Sequence, residues 1–191
     1  MSRIPRLSPE DIPEVAKPLI EAGTQVMGFR MNDGVDMARG PTILAGVSSM
    51  LGAIYGPGAL DPQLKRLVGY VASTAAGCRY CQQHTAHGAH GQGVDAEKIN
   101  EAWLYESSPL FSHAERAALK VAHLGSLTPS EVEDQDFEVL RSHYSDEECL
   151  EIVAVISMFG FLNRWNAVMD TEIEEVPADY ASAIGLTLRS G

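Results

Sequence analysis

Cys78, Cys81 and His84 stand three residues apart in the segment Gly77-Cys78-Arg79-Tyr80-Cys81-Gln82-Gln83-His84. Two thiols at that spacing can close into a disulfide and open again, and an imidazole beside them can carry the proton. On a helix the step of three puts the side chains one above another on one face. With Gly77 ending one helix and Cys78 opening the next, the first thiol meets unpaired N–H groups and the positive end of the helix, which lower a thiol pKa. His84 is then placed to accept the proton of Cys81 or to stabilise its thiolate. His87 keeps the same step and is expected to orient His84, whereas His90 drifts off the face toward solvent. The third cysteine, Cys149, lies in an apolar stretch and reads as a small buried thiol.

Two plainer readings compete with redox chemistry. Two inert core thiols would fit a helix, but Gln82, Gln83 and the histidines make the surroundings polar. Cys78, Cys81, His84 and His87 are all zinc-ligand types, yet one helix presents them along a ridge and cannot surround an ion tetrahedrally. No metal and no cofactor is therefore expected. Glu151, an acid within the apolar stretch 150–155, faces either a polar cleft or the surface.

The elements that must position these residues read as almost entirely helical. Ser8-Pro9-Glu10-Asp11 has the composition of a helix start. Residues 23–40, broken by Gly23, Gly28, Gly34 and Gly40, predict an irregular segment packing on the body. Pro41 opens a helix to about Ile54, and Asp61-Pro62 opens another whose apolar face carries Leu64, Leu67, Val68 and Val71. Ala72, Ser73, Ala75 and Ala76 allow a neighbouring helix to come close. A helix from Ser112 to about His123 follows, and Thr128-Pro129-Ser130-Glu131 and Ser145-Asp146-Glu147-Glu148 both offer capping boxes. The helix after Ser145 is apolar on most sides and is expected to be central or at a subunit contact. No strand-like alternation precedes Cys78, which separates this Cys-x-x-Cys from the βαβ context of thioredoxin. The reading is an all-α chain, a single helical domain over 1–191 with 1–40 partly irregular, and the dithiol at the N-terminal end of a central helix.

Composition narrows the function. The formal net charge is -12 over 191 residues, with acids crowded at 131–138, 146–151 and 170–175. That balance repels nucleic acid and anionic membrane surfaces. One thiol pair and an odd cysteine suit a reducing compartment. The longest apolar run, 152–162, is too short to span a bilayer, so neither nucleic acid nor membrane is expected as a partner and the cytoplasm is the expected location.

Gly77 to His87, with the upstream stretch 60–76 and the downstream stretches 111–119 and 145–164, resembles the AhpD-like alkylhydroperoxidase family, grouped with carboxymuconolactone decarboxylases, and in particular its peroxidase-related branch. The resemblance covers about residues 41–170. It implies an all-α helical bundle assembling as a homo-oligomer, whether dimer, trimer or hexamer. It also implies a thiol-dependent peroxidase in which Cys81 attacks the hydroperoxide and Cys78 resolves the sulfenic acid as a disulfide. A thiol reductant, such as a lipoylated or thioredoxin-like protein, would restore both thiols. Where the family carries a glutamate twelve residues before the first cysteine, this chain has Arg66. Where the relay histidine stands four residues after the second, it has Thr85, with His84 one place earlier, so the relay that the resemblance implies needs an acid from elsewhere, with Glu115 and Glu151 as the candidates. Two other functions remain open. One is a redox-sensing or disulfide-reducing protein with little turnover, and the other is a decarboxylase-like enzyme on a small lactone or acid.

Overall fold

Gly77 adopts a left-handed conformation, φ +66, that non-glycine residues rarely take. Its role is to turn the chain sharply between two helices, so that Cys78 becomes the N-cap of the second. The computed structural model describes residues 2–189, and among these it contains ten α-helices and no strand. They are α1 (Lys17–Met27), α2 (Asn32–Met37), α3 (Pro41–Tyr55), α4 (Pro62–Ala75) and α5 (Arg79–Gly91), followed by α6 (Ala96–Glu101), α7 (His113–Gly125), α8 (Asp134–Arg141), α9 (Asp146–Met169) and α10 (Glu175–Ala183). An all-α, AhpD-like fold is what the chain adopts.

The predicted starts and stops are largely realised. Asp61 caps α4 by accepting the Leu64 N–H at 3.0 Å. Ser112 with Glu115, and Ser145 with Glu148, form reciprocal capping boxes on α7 and α9. The third expected box is displaced: Thr128 to Glu131 lies in the turn after α7, and α8 is capped instead by Glu133 with Asp136. The helix start at Ser8 yields a single 3-10 turn, Pro9–Asp11. Pro13 holds the preceding Ile12 in extended backbone and stops propagation. The stretch 23–40 is more ordered than its glycines suggest. Gly28 at φ +81 ends α1 as a left-handed cap, and Gly34 lies inside α2.

The core is built on α4, which packs against α5, α7 and α9. Its small residues serve that approach. A side chain at Gly69 would drive into the Phe159 ring, with its Cβ only 2.5 Å from Cε2. Ser73 and Thr74 return their hydroxyls to the helix backbone at 2.7 and 2.8 Å. In α9, Ile152, Val155, Met158 and Phe159 are buried, while Leu150, Val153, Phe161 and Val168 are exposed. The apolar run 152–162 belongs to a helix of 24 residues, long and apolar enough by length and composition to cross a membrane, contrary to the estimate from the run alone. It packs against α3, α4, α5, α7 and α8 as a core helix.

Candidate active site

Cys78 and Cys81 are free thiols, both buried. Cys78 Sγ, at the N-cap of α5, accepts the Cys81 backbone N–H at 3.5 Å. A hydrogen bond between the two sulfurs, and the backbone N–H groups of Cys81 and Tyr80, outweigh burial and the nearby Asp33 carboxyl, and hold the Cys78 thiol below its ordinary range. Cys81 moves the other way. Burial first, then the shared bond and the charge of Cys78, push its thiol well up, with Asn166 as the opposing donor. The reduced pair therefore ionises at Cys78, with the proton held on Cys81.

His84 shares the face of α5 with the thiols, and its Nε2 lies 2.6 Å from Glu174 Oε2. Its ring stacks on Tyr80, centroids 4.1 Å apart, and meets the edge of Phe29 at 5.3 Å. The other oxygen of Glu174 accepts the Tyr80 hydroxyl at 3.0 Å and the Asn32 backbone N–H. Burial works to raise the Glu174 carboxyl, but the hydrogen bond and charge of His84 and the backbone N–H groups outweigh it and leave the carboxyl lowered. Tyr80, His84 and Glu174 thus tie the first turns of α5 to the start of α10, with Asn32 adding α2.

Asp33, also on α2, reaches both Tyr80 and the thiol site. Its backbone N–H donates to the Tyr80 hydroxyl at 3.3 Å. Its carboxyl accepts from Asn166 Nδ2 at 3.4 Å, and the same nitrogen donates to Cys81 Sγ at 3.5 Å. Desolvation raises the Asp33 carboxyl, Glu174 adds to that, and His84 and Asn166 oppose it. Three separate stretches of chain, around residues 33, 80 and 166–174, thereby close on one dithiol.

The acids expected from sequence lie elsewhere. Glu115 closes the α7 capping box and pairs with Lys98 at 2.5 Å. Glu151 pairs with the buried Lys65 at 2.7 Å and accepts the Ala59 and Leu60 N–H groups at 2.8 and 3.1 Å. Both are structural anchors, and the acid on His84 is Glu174. His87 lies edge-on to Phe29 at 5.4 Å and to Tyr180, with burial first and then His84 and His90 lowering its pKa. It makes no hydrogen bond to His84, and its buried Nδ1 has no partner. His90 is exposed, as its drift off the face predicts, and its ring stacks on Tyr180 with centroids 4.7 Å apart. Thr85, at the family's histidine position, returns its hydroxyl to the Cys81 carbonyl at 2.6 Å and carries no proton for the thiols. Arg66 lies over the Tyr55 ring at 4.0 Å and against Gly88, two turns along α5 from Cys81. Among the described residues, no three His, Cys, Asp or Glu side chains converge as a metal-binding group.

A buried dithiol at a helix N-terminus, with a histidine–carboxylate pair on the same helix of an all-helical body, defines a class of thiol-bearing helical proteins. The chain belongs to the carboxymuconolactone decarboxylase family, whose model matches residues 41–124. It is 32% identical to the debrominase Bmp8, solved as a cysteine-to-alanine variant with 2,3,4-tribromopyrrole. That likeness covers 96% of this chain and 100% of that one, at a TM-score of 0.89. A peroxidase-related protein from Ralstonia eutropha JMP134 shares the fold at a TM-score of 0.82, with 22% identity over 92% of this chain and 94% of that one. YnjA of Escherichia coli K12 is 30% identical over 111 residues, 58% of this chain and 61% of YnjA, so the chain spans under two thirds of that relative.

Proposed function

We propose that this protein is a thiol-dependent oxidoreductase in which Cys78 and Cys81 together deliver two electrons to an electrophilic substrate, a hydroperoxide in the first instance. The observation that carries the reading is the pair of free thiols at the head of α5, with Cys78 Sγ accepting the Cys81 N–H at 3.5 Å, and the His84–Glu174 pair on the same helix. The Cys81 thiolate attacks the distal peroxide oxygen. The O–O bond breaks and the alkoxide takes a proton, leaving Cys81 as a sulfenic acid. Cys78, the more acidic thiol, then attacks the Cys81 sulfur as a thiolate and releases water, closing the disulfide. An external dithiol, such as a lipoylated or thioredoxin-like protein, reopens it. His84, held by Glu174, supplies or receives the proton in each half.

A second reading has its own support. Bmp8, a debrominase, is more similar in sequence than the peroxidase-related neighbours. The same dithiol can remove a halogen from an aromatic ring: a thiolate takes the halogen as an electrophile, the ring carbon takes a proton, and the second thiol expels halide to form the disulfide. Family resemblance and the exposed Ile43, Met50, Leu150, Val153 and Phe161 on the adjoining helices α3 and α9 support association of copies of the chain.

The test is turnover with excess dithiol, offering an alkyl hydroperoxide and a bromopyrrole in separate assays. The reading predicts catalytic loss of hydroperoxide, abolished in Cys81→Ser, and a trappable sulfenic acid on Cys81 in Cys78→Ser. Unchanged turnover in Cys81→Ser would overturn the assigned nucleophile. Turnover of the bromopyrrole alone would transfer the same thiols to the second reading.

A further inference from the structure

We propose that Asn166 is a catalytic residue of this site: its side-chain N–H is the donor that receives the negative charge of Cys81, and Asp33 positions it. The proposal rests on the dithiol reading and deepens it.

Cys81 presents a problem that the N-terminus of α5 does not solve. That helix end favours Cys78, while Cys81 sits 3% exposed in the packed core. A thiolate there is costly unless a donor meets it. Asn166 is the side chain in place. It is itself 3% exposed, and Nδ2 lies 3.5 Å from Cys81 Sγ, an ordinary N–H···S separation. The same nitrogen lies 3.4 Å from Asp33 Oδ2. One amide nitrogen thus serves two acceptors with its two hydrogens. The carboxyl fixes which end of the amide faces the sulfur, since reversing the amide would set its carbonyl oxygen against Asp33. The Asn166 backbone is held as well, its carbonyl accepting the Thr171 N–H at 3.1 Å just past the end of α9.

The groups that bear on Cys81 are Cys78 at the N-cap of α5, Asp33 on α2, Tyr55 on α3 and Asn166 on α9; His84 and Glu174 act in turn on Asp33, and Arg66 lies over Tyr55. Among them, Asn166 is the one whose N–H is aimed at the Cys81 sulfur from another helix. Its action is the same in both halves of the cycle. When Cys81 attacks, its proton passes to the Cys78 thiolate and Asn166 donates to the new Cys81 thiolate. When a reductant thiolate attacks Cys78 Sγ of the disulfide, the S–S bond breaks, a mixed disulfide forms at Cys78, and the electron pair leaves on Cys81 Sγ toward the same N–H.

The test reads ionisation directly, without a substrate. A Cys78→Ser, Cys149→Ser protein retains Cys81 alone, and its thiolate absorbance is titrated in the ultraviolet against a cysteine-free protein. Adding Asn166→Leu, close in volume but without a donor, is expected to move the Cys81 midpoint upward by about one unit, a tenfold loss of thiolate at fixed pH. Asn166→Asp, the second variant, is expected to move it at least as far. A Cys81→Ser, Cys149→Ser protein, which retains Cys78 alone, is expected to titrate unchanged with Asn166→Leu. An unmoved Cys81 midpoint in a folded variant overturns the proposal, as does an equal shift of both cysteines. Because no substrate is present, a normal shift in a protein inert toward hydroperoxide would sink the peroxidase reading and leave Asn166 standing. An unmoved midpoint with normal turnover would do the reverse.

Discussion

Glu174 offers a sharp perturbation because three elements meet on one carboxylate. Glu174→Ala leaves His84 Nε2, the Tyr80 hydroxyl and the Asn32 N–H without their acceptor, where the facing Glu174 and His84 side chains are each 10% exposed. Three lost hydrogen bonds at about 1 kcal/mol each give about 3 kcal/mol. At roughly 2–4 °C per kcal/mol for a chain of this size, the melting temperature should fall by about 6–12 °C. Glu174→Gln keeps an acceptor for Tyr80 and Asn32 and loses only the charge, so about 1–2 kcal/mol is expected. The pH dependence carries a definite sign. The folded Glu174 pKa is lowered, so its contribution is complete above the unfolded value of about 4.3 and disappears as pH falls through the folded value. Urea unfolding of the wild type and Glu174→Gln across a pH series should show a gap that is constant near neutrality and closes in acid. Equal stabilities at neutral pH, or a gap that persists unchanged in acid, would refute the coupling of Glu174 to His84.

Further outcomes follow from the same geometry. Glu151→Ala strands the Lys65 ammonium, 2% exposed, on the Ile54 carbonyl. It should destabilise the fold by about 3 kcal/mol in chemical denaturation, while turnover per folded molecule stays at the wild-type rate. Ser112→Ala removes one half of the α7 capping box and should cost about 1 kcal/mol by the same measurement, again with turnover intact. In the fully reduced protein, the first thiolate to appear on raising pH should be that of Cys78. Peptide mapping after brief alkylation across a pH series checks this, and earlier labelling of Cys81 would contradict it.

The dithiol, its helix and His84 were legible from sequence because they lie within one local stretch, where spacing converts directly into a shared face. The turn at Gly77 and the caps at Asp61, Ser112 and Ser145 were legible for the same reason. The partners of the site were not. Asp33, Asn166 and Glu174 reach Cys81 and His84 from 48, 85 and 90 positions away, and no local pattern encodes such a meeting. Glu174 was hidden among the acids crowded at 170–175, where nothing local sets it apart from its neighbours. Asp33 lay in the glycine-broken stretch that promised no helix. Asn166 left the clearest trace, since an amide within the apolar helix after Ser145 must find a partner when buried. Pattern alone could not name the sulfur as that partner. Glu151 misled for the complementary reason. An acid amid apolar residues is also what a buried lysine requires, and Lys65 one helix away supplies it.

The central claim is that Cys78 and Cys81 act as one two-electron unit. Fully reduced protein is mixed with one equivalent of an alkyl hydroperoxide, with no added thiol, and its disulfides are mapped by peptide mass spectrometry. The account predicts a Cys78–Cys81 disulfide formed in step with alcohol release, and Cys149 still a thiol. Loss of hydroperoxide with Cys78 and Cys81 both still reduced, or a disulfide joining either of them to Cys149, would contradict it.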